Sequence, residues 1–184
     1  MAIKETIQVL DAMVADGVIE RYAIAGAVAA YNYVEPTLTN DLDLLVSLQS
    51  HATSGLVTLT PILSYLKAKG YDRFEMDGLI VEGWPIQFLP VASALDEEAL
   101  MQAQEAEVAH GVRARVLQPE HLVAIALRTG RPKGFTRIAQ FIDEAAVDLD
   151  RLCNVIGRHG LADAWRNYCR RTGTPDPCGV QKRQ

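Results

Sequence analysis

The sequence predicts an α/β protein in two parts: a mixed sheet with flanking helices over residues 1–117, then a helical bundle over 118–171, with a flexible tail over 172–184. Three observations lead there. Up to Leu117, short β-compatible runs alternate with stretches whose apolar residues recur at i, i+3, i+4 and i+7, whereas from Pro119 onward only the helical period persists. The charge also reverses near Val112: residues 1–111 carry 5 basic and 16 acidic side chains (net −11), and residues 112–184 carry 13 and 7 (net +6). Such asymmetry fits a site that needs both carboxylates and cations, or a nucleic-acid or protein partner, and it also fits plain surface charge on two lobes.

Ile3, Ile7, Leu10 and Val14 make one helical stripe over 3–16, with Gly17 as terminator. Residues 18–25 are β-compatible and end at Gly26, after which Ala27-Val28-Ala29-Ala30 starts a helix. Pro36 and the polar stretch 37–40 break that helix before Leu42-Asp43-Leu44-Leu45-Val46, a second strand. Leu59, Ile62, Leu63 and Leu66 mark a helix with Pro61 in its first turn and Gly70 past its end. Residues 73–81 and 84–89 read as two strands around a tight Glu82-Gly83 turn. A helix over 94–104 follows, capped by Ser93 with Glu97 and Glu98 in its first turn, and then a short strand over 112–117. Beyond it, three helical stripes (Ile138, Phe141, Ile142, Ala145; Leu149, Leu152, Cys153, Ile156; Leu161, Ala164, Trp165, Tyr168) are separated by short breaks that favour adjacent antiparallel helices.

Composition excludes several classes. With 49% apolar and 22% charged residues the chain can bury a core, and no run of about 18 apolar residues offers a membrane span. The start, Met1-Ala2-Ile3-Lys4-Glu5, lacks a basic segment leading into an apolar one, so a cytoplasmic protein is expected. Cys153, Cys169 and Cys178 are odd in number and form no Cys-x-x-Cys, so reduced thiols are expected. His51, His110, His121 and His159 lack metal-ligand spacing. No Gly-x-Gly-x-x-Gly, Walker-type Gly-Lys-Ser/Thr or Gly-x-Ser-x-Gly occurs. Trp165 and Tyr168 read as core rather than a base-stacking platform.

The chemically suggestive stretch is Ala25-Gly26-Ala27 followed, after a spacer, by Thr39-Asn40-Asp41-Leu42-Asp43. Strand alternation puts Asp41 and Asp43 on one face with Leu42 and Leu44 on the other. Two close carboxylates repel unless a hard cation neutralises them, and Mg²⁺ typically takes one or two carboxylates plus substrate phosphates. A strand ending in Gly and opening a helix exposes backbone N–H groups suited to phosphate.

This pattern resembles the nucleotidyltransferase superfamily, the DNA polymerase β-like fold, whose signature is apolar-Gly-Gly/Ser, a spacer of this length and Asp-apolar-Asp/Glu. The flanks, including Thr39 two residues before Asp41, are similar to the bacterial branch of AbiEii-type toxins from abortive-infection and toxin–antitoxin systems and of minimal nucleotidyltransferases. The likeness continues through Pro119-Glu120-His121-Leu122 and the basic stretch from Arg128 to Lys133. It implies transfer of a nucleoside monophosphate from an NTP to a hydroxyl acceptor, RNA or protein among the candidates, with an antitoxin as possible partner. Asp41 and Asp43 would hold Mg²⁺ or Mn²⁺, and Gly26, Ala27, Thr39, Arg128 and Lys133 would contact the nucleotide.

The chain departs from the family pattern at four places. Ala27 replaces the second Gly or Ser, Arg128 sits where relatives carry Lys, and Gly134 follows Lys133 where relatives often have Asp. In Pro85-Ile86-Gln87-Phe88-Leu89, Gln87 occupies the slot of the third catalytic carboxylate, supplying neither negative charge nor a base; Glu82, across the turn, is a candidate substitute that the sequence does not place. A protein that binds nucleotide or a partner without transfer is therefore the rival expectation. Arg128, Arg131, Lys133 and Arg137 have two readings, a phosphate or RNA-backbone clamp and a solvated turn between two helices.

Overall fold

The computed structural model of the chain describes residues 3–48 and 58–179. They form a mixed α/β structure, the class the sequence predicts, and the chain divides into two compact units, Met1–Leu117 and Gln118–Gln184. His51 and the last five positions of the expected tail, 180–184, lie outside the described residues.

In the N-terminal unit α1 (Ile3–Ala15) buries Thr6, Ile7, Leu10 and Met13. The core position of its last turn is Met13, while Val14 is half-buried. The strands are β1 (Arg21–Ile24), β2 (Leu42–Ser47), β3 (Phe74–Glu75), β4 (Gly78–Val81), β5 (Trp84–Pro90), β6 (Gln104–Ala109) and β7 (Val112–Val116), and the helices α2 (Gly26–Ala30), α3 (Thr60–Ala68) and α4 (Ala94–Gln102) connect them. The sheet order is β3-β4-β5-β2-β1-β7-β6. β2 pairs antiparallel with β1 and parallel with β5, β1 pairs parallel with β7, and antiparallel hairpins complete both edges.

Register separates the two faces. Tyr22, Ile24, Leu42, Leu44, Val46, Ile86 and Phe88 share one face and are all buried. Tyr22 donates its hydroxyl to Asp11 Oδ1 of α1 at 2.8 Å, so α1 covers that face. Ala23, Asp43, Leu45 and Gln87 lie on the other.

Three expected boundaries move. The strand over 18–25 shortens to β1 because the amides of Val18 and Ile19 bond back to the Met13 carbonyl at the end of α1. The strand over 73–81 folds into the β3–β4 hairpin, with Glu75 opposite Gly78 and Met76 at φ 52° in a two-residue turn. The helix over 94–104 stops at Gln102 and the chain enters β6; Arg115 of β7 donates to the carbonyls of Leu100, Met101 and Ala103 and so closes that helix end from a distance. Ser93 caps α4 as expected, accepting from the Asp96 amide. Glu82 and Gly83, at φ 50° and 84°, make the β4–β5 turn with both residues left-handed, which matches the twist of the flanking strands.

The C-terminal unit contains α5 (Pro119–Thr129), α6 (Pro132–Asp143), α7 (Leu149–Arg158) and α8 (Ala162–Thr172), followed by a 3-10 turn at Pro177–Gly179. Leu122, Val123, Leu127, Ile138, Phe141, Leu152, Ile156, Trp165 and Tyr168 form its core. Gly130, at φ 64°, ends α5 in the left-handed conformation that Gly adopts without penalty. Glu120 is buried in the first turn of α5, and its Oε1 accepts the Asp148 amide at 3.1 Å, while Gln118 Oε1 accepts from Arg151 at 2.6 Å. Those two bonds tie the start of α5 to the start of α7.

Two expectations are corrected here. Cys153 and Cys178 are joined in a disulfide rather than reduced, their Cα atoms 5.2 Å apart and within the range a bridge spans; only Cys169 remains a free thiol. The segment from 172, expected to be a flexible tail, is held along its described part by that bond and by Asp176, whose Oδ1 accepts from Trp165 Nε1 at 2.8 Å and from the Cys178 and Gly179 amides. Among the described residues no helix is long and apolar enough to cross a membrane.

Candidate functional site

The site is built where β1 passes into α2. Ala25 is extended, and its amide donates to the Asp43 carbonyl at 2.8 Å, carrying the β1–β2 ladder one residue past the strand. Gly26 then turns the chain at φ +60°, a conformation costly for residues with a side chain. A Cβ on Gly26 would lie 1.9 Å from Asp43 Oδ2 and 2.8 Å from its Cγ. The Gly turn thus rests against the carboxylate, and the gap left by the missing side chain is the space that carboxylate occupies. Ala27 is buried with Val28, Ala29 and Ala30, so the opening of α2 offers backbone and no side-chain hydroxyl.

Asp43 sits within β2, half-buried, between Leu42 and Leu44, both fully buried on the opposite face. Its register partner on parallel β5 is Gln87, also half-buried. Neighbouring strands run about 4.8 Å apart, so the two side chains stand side by side on one face. Asp41 lies one residue before β2, and its Oδ1 accepts the Thr39 hydroxyl at 2.7 Å. Thr39 therefore contacts a carboxylate of the Asp pair.

The candidate substitute carboxylate has another partner. Glu82 is in the β4–β5 turn, where it accepts the Tyr71 hydroxyl; that bond, with some burial, pushes the Tyr71 phenol up to about 12. Among the described residues no three His, Cys, Asp or Glu side chains cluster so as to hold a metal ion. The strand pairing sets the Asp43 carboxylate and the Gln87 amide side by side, with Asp41 two positions earlier in the chain; carboxylate and amide oxygens are donors that Mg²⁺ takes when substrate phosphates and water complete its shell.

Arg128 and Lys133 belong to the C-terminal unit. Arg128 is exposed in the last turn of α5 and Lys133 is exposed in the first turn of α6, on either side of Gly130. Gly134 has a packing reason: a Cβ there would approach Ala126 Cβ of α5 at 3.3 Å, so the two helices meet at this residue. Three residues that organise the two units, Arg115, Gln118 and Glu120, carry no local signal of their role, because each acts on an element distant in sequence.

No protein-family model matches the chain, and no curated protein matches it at a significant level.

Proposed function

We propose that the protein is a nucleotidyltransferase that moves a nucleoside monophosphate from an NTP to a hydroxyl acceptor. The observation that carries this reading is the seating of Gly26 against the Asp43 carboxylate with Gln87 in register beside it, which gathers three separate stretches of sequence at one point. Asp41 and Asp43 are the residues that would hold Mg²⁺ or Mn²⁺; the bound cation supplies neutralisation of phosphate charge and Lewis acidity. Thr39 orients Asp41 through its hydroxyl, and Gly26, having no side chain, lets the Asp43 carboxylate lie against the start of α2, where a cation held by that carboxylate would bring substrate phosphate beside the Gly turn. Gln87 Oε1 can accept a hydrogen bond from the acceptor hydroxyl but cannot take its proton, so the proton passes to water or to a carboxylate of the pair. Arg128 and Lys133 are assigned to triphosphate charge by the resemblance alone, and replacing each by Gln tests that assignment through the apparent affinity for NTP. The acceptor class is RNA, a protein hydroxyl or a small alcohol, and the resemblance of the flanks to AbiEii-type proteins supports a toxin–antitoxin or phage-defence setting, with an antitoxin as candidate partner and the cytoplasm as the expected compartment.

Gln87 favours a second reading, a protein that binds nucleotide without transferring it. Incubation with each labelled NTP, Mg²⁺ and total RNA or cell extract separates the two. Transfer predicts a labelled acceptor, its loss in Asp43→Asn and a gain in Gln87→Asp, which restores a third carboxylate beside Asp43. Mg²⁺-dependent NTP binding with no pyrophosphate release supports the second reading. Absence of any binding heat, unchanged by Asp41→Asn with Asp43→Asn, removes both.

A further inference from the structure

The C-terminal segment is fastened rather than packed. After α8 ends at Thr172, the chain runs back to the 3-10 turn at Pro177–Gly179, in which no residue is buried, while α5 to α8 supply the core of the unit. The attachments of this segment include the disulfide to Cys153 on α7, the Asp176 bond to Trp165 Nε1, and Pro175, whose carbonyl faces Cys169 Sγ at 3.9 Å. Cys153 and Cys178 are both half-exposed, so a reductant can reach the bond. Between α8 and the segment is an open groove of about 630 Å³ whose lining includes Asp163, Arg166, Cys169, Arg170, Thr174 and Asp176. Cys169 is only 5% exposed within it.

We propose that the Cys153–Cys178 disulfide is a redox latch: a dithiol reductant opens it, releases the segment that follows α8, and turns Cys169 from a covered thiol into a modifiable one. In the opening step a thiolate of the dithiol attacks one sulfur of the bridge and forms a mixed disulfide. The second thiol of the reductant then closes its own disulfide, and its two electrons and two protons leave Cys153 and Cys178 as thiols. The buried apolar residues of the unit's core all lie on α5 to α8 and none on the 3-10 turn, so the unit is expected to keep its helices while the cover lifts. Burial pushes the covered Cys169 thiol up to about 11, which leaves almost no thiolate at neutral pH; uncovering returns it toward the ordinary thiol range and makes it nucleophilic.

The test uses the full chain. Alkylation with iodoacetamide without reductant, followed by intact mass, is expected to show the Cys153–Cys178 pair blocked. Timed alkylation with peptide mapping then reads Cys169 in the oxidised protein, in the dithiothreitol-reduced protein and in Cys178→Ser. The rate is expected to rise by about tenfold or more in the latter two, with far-ultraviolet circular dichroism unchanged. In a Trp84→Phe background, which leaves Trp165 as the sole indole, emission is expected to shift on reduction as the Asp176 bond is lost. Should Cys178→Ser fail to fold, the reduced wild type gives the same reading. Three thiols free without reductant, a Cys169 rate equal in both redox states, or loss of helix on reduction, which would make the bond a structural staple, each overturns the latch.

Discussion

Gly26 meets two requirements that can be separated by experiment. Its φ of +60° alone makes a side chain costly, and the 1.9 Å approach to Asp43 Oδ2 makes one disruptive to the carboxylate as well. Gly111 shares the first condition, at φ +69°, but has nothing within 4 Å of its would-be Cβ. Gly111→Ala is therefore expected to cost only the left-handed backbone penalty, about 1–2 kcal/mol in a urea titration. Gly26→Ala is expected to cost more and also to weaken nucleotide binding measured by calorimetry, because the Asp43 carboxylate must leave its place. Equal losses of stability in the two variants, with binding intact in both, would show that Gly26 serves the turn alone. The motif around Gly26 and the Asp pair was legible as a pattern of residue types at a spacing. Why Gly is needed there was not, since the Asp43 contact arises only when β1 and β2 pair. The hydroxyl of Thr39 on Asp41 was nearer to hand, a local bond between residues two apart.

Elements were readable where their own residues decide them. β2 shows buried Leu42, Leu44 and Val46 alternating with Asp43, and the β4–β5 turn shows Glu82-Gly83, so periodicity and turn chemistry suffice. The boundary between α4 and β6 was hidden because Arg115, 12 to 15 residues downstream, takes carbonyls at the end of the helix and its cap at 2.9–3.2 Å. Replacing Arg115 with Met keeps an unbranched, flexible stem and removes three charge-assisted contacts to carbonyls. The expected loss is about 1.5–3 kcal/mol by chemical denaturation, with Arg115→Lys recovering only part because its ammonium stands one atom short of the Nη2 that makes all three contacts. Neighbouring Arg113 is the control: it is exposed and bonds a single carbonyl, that of Glu105, at 3.1 Å, so Arg113→Met is expected to stay within about 0.5 kcal/mol of wild type. If both variants lose the same amount, the end of α4 is set by its own sequence and not by β7.

At the scale of the whole chain, the reversal of charge near residue 112 falls close to the boundary between the compact units at Leu117, so the net −11 and the Asp pair belong to the same unit. The bridge between Cys153 and Cys178 was not legible: three cysteines allow three pairings, and only the return of the chain past α8 brings this pair together across 25 positions. The acidic unit makes a prediction that needs no knowledge of the acceptor. A ligand that binds only the folded state stabilises it by RT ln(1 + [L]/Kd), about 2.7 kcal/mol at a hundredfold excess over Kd. For a protein of this size that amounts to a rise of roughly 5–10 °C in the thermal midpoint. Mg²⁺ with the preferred NTP is expected to produce such a rise, and EDTA to remove the part that depends on the cation. Asp43→Asn is expected to abolish it while leaving the ligand-free midpoint close to wild type, since the amide keeps the size and shape of the side chain and removes only its charge. A variant that instead lowers the ligand-free midpoint would mean that Asp43 holds the strand junction through its bonds, and a wild type whose midpoint ignores Mg²⁺ and all four NTPs would remove the nucleotide from this site.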